Sequence, residues 1–185
     1  MTYPSFSVGE TLTSSAMNAV GLWKIKSQTL SGTETTVTSC FTADYRAYRV
    51  VFSNLTFSAI DLMTLRLVVG TTPNQTSNYY SSRLEIRNSD GVVTGAGVAG
   101  GSYWAPGTAG FTTASGGCID IYNPYSNTMA TAFNSTGVDT RTDGAAARFG
   151  GGFFNGTTRF DGLWISNLAG NRTMGGTVTI YGYRD

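Results

Sequence analysis

Short runs of alternating apolar and polar residues, broken every few positions by Gly, Asn, Asp or Ser, constrain this chain more than any other feature. Tyr45 to Leu55 sets Tyr48, Val50 and Phe52 on one face and Arg49 on the other. Leu62 to Val69 sets Leu65, Leu67 and Val69 against Thr64 and Arg66. Leu22 to Leu30 sets Leu22, Lys24 and Lys26 opposite Trp23 and Ile25. A period of two is the mark of a strand with one buried face. Further strands are expected at Thr35 to Phe41, Gly117 to Tyr122, Thr128 to Phe133, Arg148 to Phe154, Arg159 to Leu168 and Thr177 to Tyr183. Arg83 to Val93 reads as a hairpin, because Ser89-Asp90-Gly91 tolerates the positive φ of a tight turn.

About ten such strands with polar turns predict an antiparallel sandwich or barrel. No run is suited to the long crossover helix that a parallel sheet needs. The 185 residues suffice for one domain with its own core. Charged residues are only 12% of the chain and aromatics another 12%, which is the reverse of a disordered composition. The surface is therefore expected to be neutral, rich in hydroxyls and amides.

One short segment departs from the β pattern. Thr13 is placed to cap a helix, Ala16, Met17, Ala19 and Val20 follow, and Gly21 is suited to end it. Ala16 stands where a capping box would have Glu or Gln. So short a helix is marginal alone, so Phe6, Leu12, Met17 and Val20 are candidate docking residues that need a surface to pack on. The chain is read as a docking segment over 1–21 and a β domain over 22–185.

Composition also excludes functions. There is no histidine, which removes Ser-His-Asp and Cys-His catalysis and imidazole zinc sites. Cys40 and Cys118 are the only cysteines, too few for a thiolate zinc site, and read as two buried thiols. The net charge is +1, with two lysines and ten dispersed arginines, so nucleic acid is not an expected partner. No continuous apolar stretch is long enough for a membrane-crossing helix, and no basic-then-apolar start predicts a secretory signal. No cofactor or metal is expected. Asp139-Thr-Arg-Thr-Asp143-Gly144 lacks the alternating ligands of a calcium loop and reads as a polar turn. Asp120 and Asp161 are the carboxylates that a glycan hydrolase would have to pair, against a plainer role at the surface or in turns.

Two stretches are nearly all small residues: Thr94 to Gly117, and Gly150-Gly151-Gly152 between Phe149 and Phe153. Such stretches read as long loops, functional or mobile. Tyr103-Trp104 is a bulky patch inside the first. Its rings either stack on a sugar or, for Trp104, pin the loop to the core. Tyr79-Tyr80 is a second patch open to the same two readings. Tyr79, Tyr80, Tyr103 and Trp104 are thus the candidate glycan contacts.

The segment Phe6-Ser-Val-Gly-Glu-Thr-Leu-Thr-Ser-Ser-Ala-Met-Asn-Ala-Val-Gly21 resembles a short N-terminal element of tailed-bacteriophage virion proteins, especially those of marine and cyanobacterial phages. Tyr45 to Leu55, Leu65-Arg-Leu67, Ile121-Tyr-Asn-Pro-Tyr125 and Gly176 to Arg184 are similar, in order and texture, to the jelly-roll-like domains of such proteins. The resemblance implies a virion structural protein, a tail fibre or capsid decoration, made in the host cytoplasm. It implies a homo-oligomer, most naturally a trimer, docked on capsid or tail proteins and adhering to host surface polysaccharide. It implies no catalytic residues. A free carbohydrate-binding module, and after it a carboxylate-dependent glycan hydrolase, are the alternatives.

Overall fold

The computed structural model describes residues 21–107, 109–110, 112–113, 115–141 and 144–183. The expected helix and the docking residues Phe6, Leu12, Met17 and Val20 lie outside the described residues. Among those described there is no helix; the chain forms thirteen strands, all paired antiparallel. They are β1 (Leu22–Thr29), β2 (Glu34–Val37), β3 (Ala47–Phe57), β4 (Asp61–Val69), β5 (Thr72–Pro73), β6 (Tyr79–Arg87), β7 (Val93–Gly101), β8 (Ala109–Gly110), β9 (Ser115–Tyr122), β10 (Ala132–Arg141), β11 (Gly144–Phe154), β12 (Gly162–Asn167) and β13 (Met174–Tyr183).

The strands build two sheets. The larger has the order β1-β13-β3-β9-β10-β11-β6-β7, and the smaller β2-β12-β4-β5, with β8 added beside the start of β4. The pairings follow a nested rule. First strand meets last (β1 with β13), then β2 meets β12, β3 meets β9, and β4 meets β5. The strands β6, β7, β10 and β11 fall outside that rule and widen the larger sheet beyond β9.

One buried cluster draws on both sheets. Tyr48, Val50, Phe52, Ile119, Ile121, Val178 and Ile180 come from the larger sheet, and Leu65, Leu67, Leu163 and Ile165 from the smaller. Their alternation puts each set on one face, and burial of each such side chain stabilises by about 1.5–3 kcal/mol. Val69, expected to share the face of Leu65 and Leu67, is half exposed at the strand end. The hairpin at 83–93 joins β6 to β7: Gly91 has φ 66°, and its N–H donates to the Arg87 carbonyl. On β1 the expected alternation is shifted by a bulge between Lys24 and Lys26, and Lys26 Nζ donates to the Thr38 carbonyl.

Much of the two small-residue stretches is strand rather than loop. Val93–Gly101 is a strand, and Gly150-Gly151-Gly152 lies within β11. Glycine and alanine leave no alternation to mark a strand, while their backbones pair with β6, without interruption from β11 and with one irregularity, between Tyr79 and Ser81, from β7. At Gly152 the chain needs the missing side chain, because a Cβ there would collide with the Tyr80 carbonyl. Asp139 is likewise no turn residue. It lies on β10, fully buried, with Arg148 Nε donating to its carboxylate at 2.9 Å. Neither cysteine is in a disulfide; Cys40 is buried, its thiol pushed up to about 12 mainly by burial, whereas Cys118 is only half-buried.

Candidate functional site

Trp104 and Tyr79 are core residues, which corrects their selection as glycan contacts: both are completely buried. Trp104 exchanges two backbone hydrogen bonds with Leu65, and its Nε1–H donates to the Phe153 carbonyl at 3.1 Å. Its ring lies 4.7 Å from that of Phe133 and 5.5 Å, edge-on, from that of Tyr79. The Tyr79 hydroxyl donates to the Asn74 carbonyl and accepts the Leu67 N–H, while burial raises its pKa. Neither ring has a face left for a ligand. Tyr103 is half-buried in the segment after β7.

Tyr80 has the opposite fate, because consecutive residues of a strand point to opposite faces. It lies on the outer face of the larger sheet, and the register carries a row of rings away from it. Tyr80 stands opposite Phe153, Phe153 opposite Ala132, Ala132 opposite Tyr122, Tyr122 opposite Ala47 and Ala47 opposite Tyr183. The Tyr80 and Phe153 rings stack in parallel, 5.1 Å apart and 6° from coplanar. The next row is polar and small: Arg49, Asp120, Asn134, Gly151, Ser82 and Gly97. Beyond it stand Phe149 and Leu84. Gly151 thus opens a trough between the outward rings of Phe149 and Phe153. Two hollows flank it, one of about 500 Å³ at Leu84 and Phe149, the other of about 380 Å³ at Tyr80 and Phe153.

Hydrogen bonds fix the polar row. Arg49 grips Asp120 through both oxygens, at 2.8 and 2.7 Å. The Tyr183 hydroxyl donates to the same carboxylate at 2.8 Å, and the Arg49 guanidinium lies 5.5 Å from the Tyr183 ring centre. Asn134 Nδ2 donates to the Tyr122 hydroxyl at 3.0 Å. The Arg49 hydrogen bonds hold the Asp120 carboxyl below the usual carboxylate range against the opposing effect of burial, and the Tyr183 phenol is pushed up to about 12, first by burial and then by Asp120. Asp120 is therefore ionised and already held.

Asp161, its notional partner in hydrolysis, is employed elsewhere. Its Oδ1 accepts the Gly70 N–H at 2.9 Å, and its backbone carbonyl accepts the N–H groups of Cys40 and Phe41. The two carboxylates thus each hold local structure, one on the larger sheet and one at the turn after β4. What the outer face offers is ring planes, amides and hydroxyls in fixed positions, which is the chemistry of recognition.

Phe153, Tyr122 and Tyr183 were not singled out from the sequence. A signal existed: Phe149, Gly151 and Phe153 recur every second residue, and Tyr122 follows the apolar alternation of Ile119 and Ile121, which places it on the opposite face. Among the described residues no cluster of three His, Cys, Asp or Glu is placed to hold a metal ion. No protein-family model, curated protein or solved structure matches this chain.

Proposed function

We propose that this chain is a structural, adhesive protein of a tailed-bacteriophage virion, a β-sandwich of jelly-roll type that attaches through residues 1–21. It turns the outer face of its larger sheet to host-surface glycans. The observation that carries the adhesive reading is the row Tyr80, Phe153, Tyr122 and Tyr183, set beside fixed amides and hydroxyls. Phe149 and Phe153 are 46% and 44% exposed, and Leu84 and Val138 51% and 54%. A soluble domain seldom leaves so much apolar surface together without using it. Aromatic planes beside hydrogen-bonding groups suit sugar rings, which are apolar on their faces and polar at their rims.

The architectural reading is supported by the nested pairing of β1 with β13, β2 with β12, β3 with β9 and β4 with β5, which is how a jelly roll wraps two sheets around one core. That architecture recurs in viral capsid and lectin domains, so it carries the virion assignment by analogy and by the resemblance of residues 6–21. A homotrimer on the particle would multiply weak contacts into useful avidity.

The test is binding of wild type and a Tyr80→Ala/Phe153→Ala variant to an array of bacterial surface glycans, together with immunogold labelling of particles. Binding lost in the variant, with label on the virion, is the expected result. Glycan binding undiminished in the variant refutes the assigned face. A binding monomer never found on particles would leave a free carbohydrate-binding module instead.

A further inference from the structure

The larger sheet is wider than the smaller one, and its inner face turns charged on β6 and β11. Inward positions there are Arg83, Glu85 and Arg87 on β6 and Arg148 on β11. Their charges are mostly matched. Glu85 meets Arg87 at 3.1 Å and Arg148 at 2.7 Å, and Arg148 also meets Asp139 at 2.9 Å. Asp61 is committed at the rim, where its carboxylate accepts the N–H groups of Leu62 and Ala169.

Arg83 is the exception. It makes no ion pair or hydrogen bond among the described residues, although it is half-buried. Burial, and then the nearby Arg148 charge, lower its pKa. Tyr103 and Glu85 act in the opposite sense, but Glu85 is already paired with Arg87 and Arg148, so the half-buried Arg83 guanidinium has no counter-ion of its own. It also lines a pocket of about 410 Å³ whose apolar walls include Ile60, Leu62 and Ala96, with the already committed charges of Asp61, Glu85, Arg87 and Arg148 around it. That volume suits one sugar residue, and the mixed lining suits a ring with apolar faces and one charged substituent.

We propose that this pocket binds an acidic sugar residue, its carboxylate paired with the Arg83 guanidinium. Arginine favours carboxylates because its parallel N–H groups match their two oxygens. The assignment rests on the glycan-adhesion reading but uses a separate site, on the opposite face of the sheet from Tyr80. The protein would then grip a neutral stretch of polysaccharide outside and an acidic residue inside.

Calorimetric titration of the full chain with glucuronate, glucose and acetate tests this. Wild type is expected to bind glucuronate saturably, and glucose and acetate at least tenfold more weakly. Arg83→Gln should lose at least tenfold in glucuronate affinity and Arg83→Lys less. Ala96→Phe, which narrows the pocket mouth without touching the charge, should lose binding too. An unchanged urea midpoint shows that each variant is folded. Tyr80→Ala should leave glucuronate binding intact. No glucuronate binding by wild type, or equal binding by folded Arg83→Gln, overturns the proposal. Acetate binding as tightly as glucuronate overturns the sugar assignment. Loss of array binding in the Tyr80 and Phe153 variant is independent of these results, so failure of the outer face and failure of this pocket are told apart.

Discussion

Replacing Trp104 by alanine separates a core ring from a surface one. The side chain is wholly buried, packs against Phe133 and Tyr79, and donates one hydrogen bond to the Phe153 carbonyl. Truncating a buried Trp to Ala costs about 3–5 kcal/mol through lost transfer energy and residual cavity. The orphaned Phe153 carbonyl falls within that range, since an ordinary hydrogen bond contributes about 1 kcal/mol. A domain of this size is stable by about 5–15 kcal/mol, so Trp104→Ala should remove at least about a fifth of its margin. The corresponding drop in melting temperature is about 6–20 °C, at about 2–4 °C per kcal/mol. Trp104→Phe should lie between, keeping most of the packing and losing the donor. Tyr80→Ala, which removes a partly exposed ring from one stacked pair, should cost only about 1 kcal/mol. Urea unfolding followed by far-ultraviolet circular dichroism measures all three. A Trp104→Ala destabilisation of less than about 1 kcal/mol, or a Tyr80→Ala cost as large as that of Trp104→Ala, would refute the division of these rings into core and surface.

Two further perturbations probe the sheet. Gly152→Ala should destabilise by about 1–3 kcal/mol, because its Cβ collides with the Tyr80 carbonyl and comes within 2.8 Å of Ser81 Cα, whereas Gly151→Ala, whose nearest neighbour is 3.5 Å away, should be near neutral. Equal urea midpoints for the two would count against the packing assigned to β11. Asp120→Asn should cost about 1 kcal/mol at pH 7, a figure limited by the partial exposure of the pair. The folded carboxyl titrates below its unfolded value of about 3.9, so its contribution is complete above that pH and disappears as pH falls through the depressed folded value. The melting-temperature gap between wild type and variant should therefore close below about pH 4; a gap constant down to pH 2 would rule out the ionised pair as its source.

The alternation of Tyr48, Val50 and Phe52, and of Leu65 and Leu67, determined by itself that the domain is β and which faces are apolar, because strand geometry couples residue i to i+2 locally. The Asp90-Gly91 turn was legible for the same reason: a tight turn restricts its own residues. Strand β7 was not legible, since Gly and Ala give no pattern and its existence depends on β6 as partner. Tyr79-Tyr80 shows where the boundary falls. Their adjacency in a strand required opposite faces, but which ring went inward depended on Trp104 and Phe154 arriving from distant parts of the chain. The row from Tyr80 to Tyr183 arises in the same way, from the register of six strands, some of them well over a hundred residues apart in the chain. Local covalent geometry sets the period of each strand. Only non-local packing decides which strand lies beside which, and hence what the face carries.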